Sequence, residues 1–189
     1  MHPIYQFLIT PKQGRIFDNV KRIGGVDFVT STDEHDYKAT NRFAEVLRTP
    51  KHYKGEISAG DIVVVHHNTF RHRYDMNGKY LVSAFHVKDN VFFVEANEFY
   101  MYKKPNQEWK AHDRFCFVRP MPAQSSVLSS IIKEQPLHGI MEYPNEYLLK
   151  CGVKKGDIVV FTPDSDYEFK VEGQKLYRVY DHQITSKLN

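Results

Sequence analysis

Apolar residues in this chain come in short runs rich in Val, Ile, Phe and Tyr, and most runs are bounded by Gly, Pro, Asn or Asp. That is the pattern of strands rather than of helices, whose apolar positions recur every three to four residues. It predicts strands over 4–10, 42–48, 61–66, 79–86, 91–95 and 98–102, and a second set over 114–119, 137–143, 157–161, 168–171 and 175–180. Asn77-Gly78 closes a turn that opens at Asp75, and Lys88-Asp89-Asn90 separates two further strand-like runs. Asn-Gly accepts the positive φ angles of a tight hairpin. Helical patterning is confined to two short stretches. Residues 126–134 carry apolar pairs four apart, which predicts two turns of amphipathic helix. Residues 145–152 read as one turn, with Asn145 capping its start and Gly152 its end. Many short strands with regular punctuation predict an all-β fold of small β-barrels with short helical turns.

The strand pattern repeats. Residues 57–64 recur as 153–160, with Gly60-Asp61 matching Gly156-Asp157 at a displacement of 96. Upstream, 7–11 parallels 116–120 at a displacement of 109, and downstream 94–99 parallels 179–184 at 85. The order of parts is the same in both halves, so one unit is used twice with unequal loops. The fall from 96 to 85 places about 11 extra residues in the first copy, between Val65 and Val94. A polar, Pro-containing stretch at 103–107 marks the boundary, giving domains 1–104 and 105–189.

The 189 residues are 41% hydrophobic and 26% charged, an ordinary globular balance with room for one domain or two small ones. Two cysteines, Cys116 and Cys151, are too few for a disulfide scaffold and form no CxxC pair. They suit a reducing compartment. The net charge is only +3, so neither nucleic acid nor an anionic membrane is demanded. Residues 1–104 carry 15 basic and 12 acidic side chains, against 11 of each in 105–189. No basic stretch followed by a long apolar core opens the chain, and no apolar run approaches a membrane span. A soluble, cytoplasmic protein is expected.

The second half resembles the GroES co-chaperonin family. His112-Asp113-Arg114 with the following Phe115-Cys116-Phe117-Val118 is similar to the family's first strand, and Gly156-Asp157-Ile158-Val159 to its GDIV strand. Residues 170–179 resemble its closing hairpin, and Asp181-His182-Gln183-Ile184 its final strand entry. The first half follows the same plan more loosely, and its Gly24-Gly25-Val26-Asp27-Phe28-Val29 resembles the family's mobile loop. The resemblance implies two tandem GroES-like β-barrels forming a non-catalytic lid, self-associated into a ring. Such a lid closes a GroEL-like, ATP-driven chaperonin ring and assists protein folding. Departures are visible. Asp27 interrupts the apolar motif, the second half has no Gly pair in its loop, and the links before both Gly-Asp pairs are short. This reduced plan resembles a phage-type member, which would work in the host cytoplasm.

Two segments are candidate chaperonin contacts. The loop from 12 to 41 is charged and holds one apolar island, Val26, Phe28 and Val29, after Gly24 and Gly25. A loop of that length is usually functional or disordered, and a disordered loop binds weakly because contact orders it. Several such loops on one ring give avidity. The alternative is an ordered loop whose apolar residues cap the barrel. The second candidate is 121–136, where Val127, Leu128, Ile131 and Ile132 either enter a groove or pack on their own barrel. Terminal strands such as 5–9 and 99–102 are candidates for pairing between subunits or within the chain.

Other chemistry is weaker. His66-His67 would point to opposite faces of a continued strand, and no HxH, HExxH or nearby Cys completes a metal site. The stretch 66–74 mixes aromatics and bases, a combination that stacks bases and neutralises phosphates, although a solvated loop fits the small net charge better. The competing class is therefore a nucleic-acid-binding or virion structural β-barrel without chaperonin activity. His112-Asp113-Arg114 is a local triplet, whereas a triad is assembled by the fold. Gly24-Gly25 lacks the rest of a phosphate loop. No enzyme activity, cofactor or metal is expected.

Overall fold

A computed structural model describes residues 2–17, 20–29, 40–122 and 134–188. The chain divides into two compact units, Met1–Glu108 and Trp109–Asn189. The first holds β1 (Phe7–Pro11), β2 (Val20–Ile23), β3 (Val26–Val29), β4 (Phe43–Arg48), β5 (Ile62–Val65), β6 (Arg73–Tyr74), β7 (Tyr80–Leu81), β8 (His86–Lys88), β9 (Val91–Val94) and β10 (Phe99–Lys103). The second holds β11 (Lys110–Ala111), β12 (Phe115–Pro122), β13 (Glu134–Tyr143), α1 (Glu146–Lys150), β14 (Ile158–Phe161), β15 (Tyr167–Val171), β16 (Gln174–Tyr180) and β17 (Ile184–Leu188). The all-β expectation holds.

Both units build the same antiparallel sheet. Strand order is β8-β9-β1-β4-β5-β10 in the first and β15-β16-β12-β13-β14-β17 in the second. Taken in chain order, the six strands of each unit occupy identical seats. The registers agree residue by residue. Phe7 faces Val94 as Cys116 faces Val179, and Ile9 faces Val46 as Val118 faces Met141. Val65 faces Phe99 as Phe161 faces Ile184. Even the bulge is shared, falling between Leu8 and Ile9 and between Phe117 and Val118. The internal repeat in the sequence is thus an internal repeat in the topology.

The Gly-Asp corner shows why the motif is retained twice. Gly60 and Gly156 adopt φ of +91° and +94°, where a Cβ is strained. Their N–H groups donate across the sheet to Val46 O at 2.8 Å and Met141 O at 2.7 Å. The following carboxylate closes the turn by accepting from a backbone N–H three residues earlier, Ser58 to Asp61 Oδ2 at 2.8 Å and Lys154 to Asp157 Oδ2 at 2.6 Å.

Alternating residues of each strand face one core. In the first unit these are Phe7 and Ile9, Ala44 and Val46, Val63 and Val65, Phe92 and Val94, joined by Phe70 and Phe99. Phe7 and Phe99 have ring centroids 4.9 Å apart although β1 and β10 sit three seats apart. A flat sheet would separate those strands by about 14 Å, so the sheet is strongly curled. The second core gathers Cys116, Val118, Met141, Val159, Phe161 and Val179. Among the described residues no ladder joins the outer strands of either sheet. The structure shows two curled antiparallel sheets, in keeping with the all-β class that the sequence predicts.

Several elements differ from expectation. The strand expected over 79–86 is split into β7 and β8. Ser83 breaks it, donating from Oγ to Thr69 O at 2.7 Å while its own oxygen accepts from Phe85 N–H at 3.1 Å. The strand expected from residue 4 begins at Phe7, and it is interior, paired on both sides by β4 and β9, so 5–9 offers no free edge to another subunit. The helix expected over 126–134 lies outside the described residues, except that Glu134 opens β13. The turn at 145–152 forms as α1, with Leu148 N–H donating to the Asn145 Oδ1 cap at 2.9 Å and Gly152 at φ +83°.

Candidate partner-binding site

The excursion between β1 and β4 is pinned at its base. Asn41, buried, donates from Nδ2 to Arg15 O at 2.7 Å and Lys12 O at 3.3 Å, and its Oδ1 accepts from Phe43 N–H at 2.9 Å. Its backbone N–H donates to Ile16 O at 2.8 Å, and Phe17 bridges to Thr40. One residue thus ties both arms of the loop to the start of β4. Asn90 adds a second tie, donating to Gly14 O at 2.9 Å.

Beyond that base, where the sequence predicts a mobile-type loop or an ordered loop that caps the barrel, the chain forms a hairpin. β2 and β3 pair antiparallel, Ile23 opposite Val26 and Val20 opposite Val29, around Gly24-Gly25. These glycines adopt φ of +59° and +86°, and a Cβ on either would meet nothing within 4 Å. The turn conformation, not crowding, calls for glycine, as in a tight two-residue turn with both central φ positive. Val26 and Phe28, two apart on β3, are 58% and 50% exposed. Alternation along a strand sets them on one face. Asp27, the residue that interrupts the apolar motif, stands opposite Arg22 in the register. The hairpin therefore presents two large apolar side chains to solvent.

Gly24, Gly25, Val26, Phe28 and Val29 are brought together in this hairpin. Val127, Leu128, Ile131 and Ile132 lie outside the described residues. The arms that lead to them are pinned by a different device. Pro122 pairs with Glu134, whose carboxylate accepts from Tyr177 Oη at 2.5 Å and Lys175 Nζ at 2.9 Å. The Tyr177 hydrogen bond, with Lys175, holds the Glu134 carboxyl below the usual range. Both clamps, Asn41 and Glu134, escape sequence reading. A lone Asn or Glu acquires this role only from partners that the fold delivers.

The His66-His67 pair differs from the expectation of opposite faces. β5 ends at Val65 and His67 opens a 3-10 turn, so the rings lie 4.0 Å apart. His66 Nδ1 accepts from Asn68 N–H at 3.1 Å. Burial, then the neighbouring His66, Arg42 and Arg71, pull His67 down to about 4. Among the described residues no three His, Cys, Asp or Glu side chains group as a metal site, and no helix is long and apolar enough to cross a membrane. No protein-family model matches the chain, and no curated protein matches it.

Proposed function

We propose that the protein is a co-chaperonin-like lid, with two GroES-like repeats that self-associate into a ring, bind a chaperonin ring and assist ATP-dependent folding in the cytoplasm. The observation that carries this reading is the Gly24-Gly25 hairpin, which holds Val26 and Phe28 out to solvent beyond a base clamped by Asn41. Burying a Val or Phe side chain contributes roughly 1.5–3 kcal/mol, so one hairpin holds weakly and several on a ring hold well. The repeated topology supports the reading too, because it supplies two equivalent scaffolds with a long excursion at the same seat, after β1 and after β12. No catalytic step is assigned to the chain.

The test is co-elution with a purified GroEL-type chaperonin, with and without ATP. Binding is expected only with nucleotide. Phe28→Ser is expected to abolish it while leaving the stability within about 0.5 kcal/mol of the parent, because half-exposed side chains contribute little to the core. Nucleotide-independent adhesion, or a Phe28→Ser chain that still binds, would overturn the reading.

A further inference from the structure

The insertion that distinguishes the first repeat carries a surface of its own. Between β5 and β8 lie the 3-10 turn His67–Thr69 and the β6–β7 hairpin, where the second repeat has only residues 162–166. The hairpin is held from within. Asp75 Oδ1 accepts from Asn77 N–H at 2.9 Å and Lys79 N–H at 2.8 Å, and Gly78 N–H donates to Asp75 O at 3.0 Å. The one acidic residue of 66–82 is therefore turned into its own turn, in a stretch that also holds Arg71, Arg73 and Lys79.

Aromatic rings stand on the same hairpin. Tyr74 and Tyr80 are 46% and 45% exposed, with ring centroids 5.5 Å apart at 67°. Tyr80 shares a hydrogen bond with His72, which packs edge-on against Phe17 at 6.1 Å. At the foot of the insertion His66 and His67 stack, and the side chains acting on His67 through charge are His66, Arg42 and Arg71, all of basic type. The hairpin thus combines exposed ring faces with cations, and one oxygen of its carboxylate is engaged by the turn's backbone.

We infer that this insertion binds single-stranded nucleic acid, with bases stacking on Tyr74 and Tyr80 and phosphates lying along Arg42, Arg71 and Lys79. Aromatic faces accept any unpaired base, and cations neutralise the backbone, so such a site is tolerant of sequence and sensitive to salt. Charge complementarity selects a polyanion. The two exposed rings select one whose bases are free to stack, which excludes a duplex.

Fluorescence anisotropy of an end-labelled oligothymidylate of about 20 nucleotides, titrated with the intact chain between about 50 and 200 mM salt, tests this. Binding is expected to weaken steeply with salt. Arg71→Ala or the exposed-site change Lys79→Glu should flatten that dependence by about 0.7 in log–log slope for each phosphate that is no longer neutralised. Tyr74→Ala and Tyr80→Ala should each weaken binding by about 5- to 150-fold, while Tyr80→Phe, which keeps the ring, should not. Thermal melts establish that each variant is folded, and Lys79→Glu serves if a tyrosine variant is not. No binding by the parent chain, equal affinity for a duplex, or undiminished binding by folded Tyr74→Ala and Tyr80→Ala would each overturn the proposal.

Discussion

His67 ties local chemistry to stability. Its folded value of about 4 lies below the 6.5 of an unperturbed histidine, with burial first among the causes. Between those values the unfolded chain binds more protons than the folded one, so stability falls as pH drops through this window. The expected outcome is a thermal midpoint that declines from pH 6.5 toward 4, and a His67→Gln chain whose midpoint declines less there. Glu134, lowered by its Tyr177 and Lys175 hydrogen bonds, and Asp157, lowered chiefly by Lys187, act with the same sign at lower pH. They lose stabilising charge only below about pH 4.5. An unchanged profile in His67→Gln would show that the two histidine rings are hydrated in solution. At this scale the sequence is a partial guide. Asn145 and Gly152 declare their capping role locally, whereas the value of His67 depends first on burial and, among charges, on Arg42 as well as the adjacent His66, and burial and Arg42 are supplied by the fold.

Elements are legible where a local rule makes them. Strands with an apolar face, such as β5, β9 and β14, lie within a residue of their expected limits, because alternation or a continuous apolar run marks a buried strand. β17 escapes such reading. Its Thr185, Ser186 and Lys187 are exposed on an outer strand, and such a strand needs no apolar alternation. β2 and β3 read as loop because the consecutive pairs Lys21-Arg22 and Phe28-Val29 break the alternation, and only the glycine pair hints at a turn. The crossing of β12 and β13 gives a sharper prediction. A Cβ on Gly139 would fall 2.8 Å from both Cβ and Cγ2 of Val118. Its counterpart is Ala44, opposite Pro11 as Gly139 is opposite Pro120. Gly139→Ala should therefore destabilise the chain by about 1–3 kcal/mol in denaturant titration, the range of an overpacked core. Ala44→Gly should cost about 1–2 kcal/mol, through strand entropy and the loss of a methyl fully buried in the core. Undiminished stability in Gly139→Ala would show that Val118 gives way to the added methyl.

For the whole molecule, the repeat is legible because its corner is chemical. A positive-φ glycine followed by a turn-closing aspartate tolerates little change, so the pair survives while loops diverge. The curl of each sheet, the arms of the second excursion and the clamps at both bases depend on distant partners and carry no local signature. The lid reading makes a claim at this scale as well. Sedimentation velocity should show a closed species at an integer multiple of the 22.2 kDa chain. A monomer across the accessible concentration range would remove the ring and, with it, the avidity on which weak single attachments depend.

The hairpin at Gly24-Gly25 also bears on tempo. A partner loop without structure must fold as it docks, and its entropy loss then helps to free it again. Here the strands are already paired and the turn already set, so docking of Val26 and Phe28 requires little further ordering. Encounter should be limited by orientation, at about 10⁵–10⁷ M⁻¹s⁻¹, rather than by a folding step. An attachment prepared in this way has no internal spring to release it. On the lid proposal the off-switch would then belong to the partner, whose own change of shape would withdraw the groove from the hairpin.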